Sequence, residues 1–419
     1  MKLRWLPLLG MATVLMPTLA LAADWPQWRG PNRDGKSSET GLNPSLSEPK
    51  LLWTATGLGN SYSGPAIVGD RIYSMGADKT GNVEYLFCLD ATNGKELWRT
   101  VFAKFVDNNW GGGPRGNPTV DGDRVYGLGA GGDLVCLNTK DGSKVWAVNF
   151  PKDLGGKMMS SWNFSESVLI DGDRVICTPG GSKGTLAALN KMTGEVIWRS
   201  TGLTDPAAYA SIQAHELGGI KQYITMTNKG VVGVKADDGK LLWQSPLAKN
   251  PTAVIPTPVI KGNLVFVTSG YGAGCGLVKL TPDGKGGITA EDVYDNKDMS
   301  NHHGGVILID DHVYGHSDRK GWTCMELETG KVVWAENKKQ DKGSIVYADG
   351  HFWLYGEGSH ALVTIKATTE GFQEVGRMKL PKETTIRARA GRTWTHPVIA
   401  NGKLYLRDQD LLFCFDVSK

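Results

Sequence analysis

Cys88-Leu89-Asp90-Ala91-Thr92-Asn93-Gly94-Lys95-Glu96-Leu97-Trp98 has the form of a strand, a tight turn and a second strand ending in tryptophan. Gly94 stands where such a turn asks for positive φ, and Asp90 can accept a backbone N–H of the turn. The same grammar returns as CLNTKDGSKVW at 136–146, ALNKMTGEVIW at 188–198, GVKADDGKLLW at 233–243 and CMELETGKVVW at 324–334. Trp53, Trp98, Trp146, Trp198 and Trp243 lie 45, 48, 52 and 45 residues apart, close to the length of one four-stranded propeller blade. One closed domain is therefore expected. Each tryptophan offers a flat face to a neighbouring unit and an indole N–H to a carbonyl.

Around each hairpin the unit is completed by two earlier strands, as in PAIVGDRIYSMG at 65–76. The strands are called A, B, C and D in chain order. The A–B turns are Gly69-Asp70, Gly122-Asp123, Gly172-Asp173, Gly262-Asn263, Asp349-Gly350 and Asn401-Gly402, dipeptides suited to two-residue hairpins. A strands are expected to start near 65, 118, 166, 211, 257, 304, 343 and 397, which makes eight units. The last unit stops after its C strand, and LLWTATG at 51–57 is a D strand with no hairpin partner before it. Closing the ring removes exposed sheet edges, so this N-terminal strand should complete the eighth blade. The expected fold is all-β, an eight-bladed β-propeller over 51–419. Blades five and seven carry ITAEDVYDN and FQEVGRMKL where the tryptophan hairpin should be.

Residues 1–22 carry Lys2 and Arg4, then an apolar run ending in Ala20-Leu21-Ala22, the layout of a cleavable secretory signal. Ala23, not cysteine, follows the expected cut, so a soluble, exported, unlipidated protein of the periplasm or exterior is expected. Residues 23–50 are rich in Pro, Gly, Asn and Ser and lack periodicity; they are expected to run extended, pinned to the propeller surface by Trp25 and Trp28. Without Lys2 and Arg4 the formal charge falls from +3 to +1, which gives no electrostatic footprint for nucleic acid or an anionic membrane. No later run is long and apolar enough to span a bilayer. Of six cysteines, Cys88, Cys136, Cys324 and Cys414 share one slot of the repeat, and equivalent slots in face-packed blades, roughly 10 Å apart, are too distant for a disulfide. Buried thiols are expected.

The A/C-L-D/N-x-x-x-G-x-x-x-W hairpins resemble those of the pyrroloquinoline-quinone (PQQ)-type β-propeller repeat family, over residues 51–419. The opening DWPQWRGPNRDG is similar to the mature start of exported members of that family. The resemblance implies the propeller. For function it points two ways, to quinoprotein alcohol dehydrogenases and to the scaffold lipoprotein of the outer-membrane β-barrel assembly machinery.

Topology places the A–B and C–D turns on one face of the ring, and the B–C loops and D-to-A crossovers on the other. The second face collects the residues that depart from the repeat, and loops on a rigid scaffold are where binding residues concentrate. The candidate ligand- or cofactor-binding residues are Trp110, Arg115, Trp162, Asn163, Asn301, His302, His303, Lys342, Trp394, His396, Arg407 and Asp408. Trp110, Trp162 and Trp394 suit a flat ligand, a quinone or a sugar ring, or else plug the channel. The histidine spacing matches no metal signature, and adjacent His302 and His303 on a strand would point to opposite sides, so no metal is expected.

Three functions are consistent with this sequence. The first is a ligand-binding or scaffold protein of the envelope, expected to be a monomer, that takes a protein, an envelope polymer or a small flat ligand. The second is a dehydrogenase of an alcohol or sugar using PQQ with calcium, for which Asp408 and Asn301 are the candidate calcium ligands; the vicinal Cys-Cys pair common in such enzymes is missing, as is a C-x-x-C-H haem motif. The third is a carbohydrate-binding protein using the tryptophan-lined funnel.

Overall fold

The computed structural model describes residues 24–419, and the leader expected at 1–22 lies outside them. The described chain forms eight four-stranded antiparallel sheets in a β-propeller. Blades one to seven span residues 66–104, 119–149, 169–199, 213–245, 259–296, 306–336 and 343–379. Blade eight takes its A, B and C strands from 398–416 and its D strand from Lys50–Ala55, which pairs antiparallel with Leu411–Asp416 and closes the ring. No helix of the described residues is long and apolar enough to cross a membrane.

The repeated residues explain one another once the blades are stacked. On blade one Tyr73 of strand B pairs with Cys88 of strand C, and Cys88 pairs with Trp98 of strand D. The same Tyr-Cys-Trp row recurs as Tyr126, Cys136 and Trp146, and as Tyr314, Cys324 and Trp334. A small residue is needed in the middle because rings stand on both sides, 6.0 Å apart in the first two rows. All six cysteines are buried and unpaired.

Five of the repeat tryptophans then reach the next blade, whereas Trp243 donates to Gln222 of its own blade at 2.7 Å. Trp53, Trp98, Trp146, Trp198 and Trp334 donate their indole N–H to the carbonyls of Ala91, Thr139, Lys191, Ala236 and Thr368 at 2.9–3.2 Å. The first four rings lie on the turn glycine of that blade, so a Cβ on Gly94, Gly142, Gly194 or Gly239 would fall 2.5–2.8 Å from the ring. Glycine is thus required twice, for a φ of +71° to +76° and for the space the neighbouring indole fills. Blade five keeps the function with a different residue: Tyr294 covers Gly330 and donates its hydroxyl to the Leu327 carbonyl at 2.8 Å.

This double requirement predicts unequal costs for one substitution. Gly122→Ala, at φ +57° with nothing within 4 Å of the new methyl, should lose about 1–2 kcal/mol for left-handed strain alone. Gly142→Ala, at φ +71° and 2.5 Å from Trp98, should lose clearly more because the indole must move. Urea unfolding of both variants checks this; equal losses would mean that the tryptophan contact contributes nothing.

Residues 24–43 enter the channel and do not lie on the surface as expected. Trp25 exchanges backbone hydrogen bonds with Ile67 of blade one at 2.8 Å, and the Pro26 carbonyl accepts from Val120 of blade two. Arg33 donates to the Ser167 and Val168 carbonyls where blade three begins, and its own carbonyl accepts from Gln213 of blade four. Trp28 bonds Thr257 before blade five, and Arg29 bonds the Val306 carbonyl of blade six. Ser37 bonds Tyr347 of blade seven, and Glu39 accepts two N–H groups from the Asn401-Gly402 turn of blade eight. A segment without a helix or a strand of its own makes hydrogen bonds to all eight blades. It therefore forms a plug.

Candidate functional site

The face formed by B–C loops and crossovers opens into a cavity of about 400 Å³. Its lining includes Trp28 of the plug, so the N-terminal segment supplies part of the wall. Around the wall runs a chain of rings. Tyr209 faces Trp162 (6.4 Å), Trp162 is stacked on Tyr271 (6.5 Å), Tyr271 meets His302 edge-on (4.8 Å), and His302 meets His303 (5.7 Å). The chain continues from His303 to Trp394 (6.1 Å) and from there to Tyr62 (4.9 Å) and Trp110 (6.3 Å). Trp110 and Tyr271 are the most exposed of these, at 44% and 50%, and form the rim.

Hydrogen bonds and packing fix several of the rings. Tyr62 donates to the Trp110 carbonyl at 2.5 Å, and Ser160 and Tyr209 share a hydroxyl–hydroxyl contact. Arg115 packs over Tyr62, 5.0 Å from the ring centre, and donates to the Gly111 carbonyl at 2.7 Å. That bond needs the tight Gly111-Gly112-Gly113 turn, where Gly111 sits at φ +107°.

Charge in the wall is unbalanced. Arg115, Lys342 and Arg392 line it together with one carboxylate, Glu357. Lys342 lies 3.5 Å from Glu357 and 3.5 Å from Asp318. The other Glu357 oxygen accepts from the Trp394 indole at 2.8 Å and lies 3.5 Å from Nδ1 of His303. Burial raises the Glu357 pKa in spite of Lys342. Burial, joined by the Lys342 charge, lowers His302 to about 4 and takes His303 well below its usual value; burial with Arg29 lowers His396 to about 3. The imidazoles are neutral at pH 7.

Eight of the residues singled out from sequence line the cavity: Trp110, Arg115, Trp162, His302, His303, Lys342, Trp394 and His396. Asn163, Asn301, Arg407 and Asp408 do not. Asn163 sits at φ +72° in a turn, where its carbonyl accepts from Ser165. Asn301 donates to the Gly305 and His316 carbonyls at 3.0 and 2.9 Å and so shapes the histidine loop. Arg407 is buried and donates to the Ser63 and Met75 carbonyls and the Ser74 hydroxyl, clamping blade eight to blade one. Asp408 is held by Arg387 at 2.8 Å and by the Thr384 N–H at 3.0 Å. The sequence reading did not single out Tyr62, Glu357 or Arg392, nor Tyr209 and Tyr271, although those two stand in the non-repeat loops AAYAS and SGYGAGC. His302 and His303 do not point to opposite sides, because 301–305 is irregular backbone and the strand alternation does not apply.

The calcium pair expected from sequence, Asp408 and Asn301, lies outside the cavity lining. Asp408 is held by Arg387, and Asn301 lies on the crossover into blade six, where its Nδ2 donates to two loop carbonyls and its buried Oδ1 has no partner. Calcium wants six to eight oxygens. Among the described residues, the group of three potential ligands that does come together is His302, His303 and Glu357, which is rich in nitrogen.

Residues 82–336 match the family described as outer membrane protein assembly factor BamB. The chain belongs to this family. BamB relatives include that of Burkholderia pseudomallei, 28% identical over 57% of this chain and 70% of the relative, and that of Shewanella oneidensis, 25% identical over 73% and 67%. Among solved structures, BamB from Moraxella catarrhalis superposes with a TM-score of 0.59 at 15% identity, covering 87% of this chain and 97% of that one. The quinohemoprotein alcohol dehydrogenase of Comamonas testosteroni does so with a TM-score of 0.63 at 12% identity, covering 94% and 80%. At these identities the likeness extends to the BamB-type propeller fold and no further.

Proposed function

We propose that this BamB-family propeller is an exported binding protein of the cell envelope, and that its funnel holds a flat, negatively charged group, either free or carried on a partner. The observation behind this reading is the cavity wall itself, where a belt of aromatic rings is combined with three cationic side chains against one carboxylate. Ring faces take planar groups, and an excess of partly buried cations takes anions. Relatives named for outer-membrane protein assembly support a partner-binding role over turnover. The calcium-and-quinone dehydrogenase reading gains nothing from the cavity, whose lining holds neither Asp408 nor Asn301, and no reaction is derived through that pair. A carbohydrate reading accounts for the rings and leaves the cations unused.

Tryptophan fluorescence separates these readings. PQQ, flat and carboxylated, serves as the probe, and cellobiose as the uncharged control. Saturable quenching by the quinone is expected with or without calcium, weakened at least tenfold in a Trp162→Ala, Arg392→Ala variant. Binding of cellobiose alone, or equal quinone affinity in the variant, would overturn the proposal. For a partner-borne group, photocrosslinkers at Trp110 and Tyr271 on the rim should trap a partner that one at Asp123 on the opposite face does not.

A further inference from the structure

We propose that His302, His303 and Glu357 form a site for a first-row divalent transition-metal ion, of the zinc or copper type, in the wall of the funnel. One donor atom from each residue lies within 4.8 Å of the others. An ion with bonds of about 2.0–2.2 Å needs donors about 3.4 Å apart, which side-chain rotations can supply in a wall made of irregular loops.

The second observation is independent of that spacing. Both ring nitrogens of His302 and both of His303 are buried without a hydrogen-bond partner. Buried polar atoms are nearly always paired, and four orphaned nitrogens on two adjacent rings is a concentration that a metal would relieve. Glu357 comes within 3.5 Å of Nδ1 of His303 without making a hydrogen bond to it, and Tyr271 and Trp394 stand next to the rings.

The surroundings suit a metal ligand set. The Trp394 indole donates to a Glu357 oxygen at 2.8 Å, the kind of outer contact that fixes a ligating carboxylate. Asn301 holds the loop that carries both histidines through its bonds to the Gly305 and His316 carbonyls. Two imidazoles and one carboxylate favour zinc, copper or iron over calcium or magnesium. Three protein ligands would leave the remaining positions open to the cavity, available to water or to an anionic ligand.

Lys342 opposes the ion and makes the proposal sharply testable. Its ammonium lies 3.5 Å from Glu357 and 3.5 Å from Asp318. It neutralises Glu357 when no metal is bound and can stay with Asp318 when the carboxylate turns to an ion. The site does not depend on what else the funnel holds.

The experiment uses the full chain, free of added histidines and stripped with EDTA, titrated with Co²⁺ by visible absorption and then with Zn²⁺ in competition. One Co²⁺ per chain is expected, displaced by Zn²⁺. His302→Ala and Glu357→Gln should each weaken binding at least tenfold. Lys342→Met, which removes a like charge, should tighten it about tenfold. A gain of affinity cannot come from misfolding, so this variant decides the matter even if the others fold poorly. Absence of saturable Co²⁺ or Zn²⁺ binding at hundred-micromolar concentrations would overturn the site, as would binding that Lys342→Met leaves unchanged or weakens.

Discussion

Replacing Arg29 and Arg33 together by methionine should cost the fold several kcal/mol and release the plug from the channel. Arg33 is buried, donates to the Ser167 and Val168 carbonyls at 2.7 and 3.3 Å, and bonds Gln27 at 3.0 Å. Arg29 donates to the Val306 and Asp34 carbonyls at 2.5 and 3.0 Å. Burial lowers both guanidinium groups to about 10, so both stay charged at neutral pH. Methionine can fill much of the volume but leaves four buried carbonyls without these donors, at about 1–3 kcal/mol for each group that water cannot reach. It also leaves the buried Glu166 without its nearby cation.

The two arginines tie the same short segment to blades three and six, on different sides of the axis, so the double variant should lose more than either single variant. Unfolding in urea measures the loss, and amide exchange over 24–43 measures the release. Because Trp28 of this segment lines the funnel, quinone quenching should weaken in parallel. A double variant within about 1 kcal/mol of the parent, with exchange unchanged, would show that the plug is held by its backbone bonds alone.

The fold was legible because its determinants are local and repeated. The glycine, the tryptophan and the small residue opposite it recur in sequence for one reason each, and all three meet in space. The closing strand was legible from arithmetic, as a D strand without a hairpin at one end and a missing D strand at the other. The plug was not legible, because its partners are single carbonyls scattered over eight blades and it carries no period. The face that bears the cavity could be inferred from topology, but the direction of a side chain in an irregular loop could not. Arg407 and Asp408 look like ligands in sequence because charged residues beside non-repeat loops are unusual; in space they are spent on blade one and on Arg387. Glu357 follows a strand in an ordinary-looking loop, and only the folded ring brings it to His303. Tyr294 shows the converse, where a missing tryptophan cost the blade nothing because another ring reached the same glycine.

Acidification from pH 7 to 4.5, in EDTA, should destabilise the protein on the order of 3 kcal/mol, and removing a buried carboxyl should steepen that loss. Burial is the main cause that lowers His302 and His316 to about 4 and His396 to about 3, and it takes His303 well below 6.5. A depressed folded pKa means that the unfolded chain binds the proton first. The stability these four rings contribute is therefore complete above 6.5 and is lost as pH falls toward 4. Glu84 and Glu166, and to a smaller extent Glu357, act in the opposite sense. Burial raises Glu84 and Glu166 from 4.5 to about 7, so the folded chain binds their protons first, and their contribution is complete below 4.5 and lost as pH rises through 7. Within the shared window the four rings outweigh these carboxyls, which sets the sign of the net change. Glu166→Gln removes one compensating group, so its curve of unfolding midpoint against pH should be steeper on the acid side than the parent's. His316→Asn should be shallower, since it removes one of the rings that resist protonation. A midpoint that is flat or rising from pH 7 to 4.5 would mean that water reaches these imidazoles and that burial does not hold them neutral.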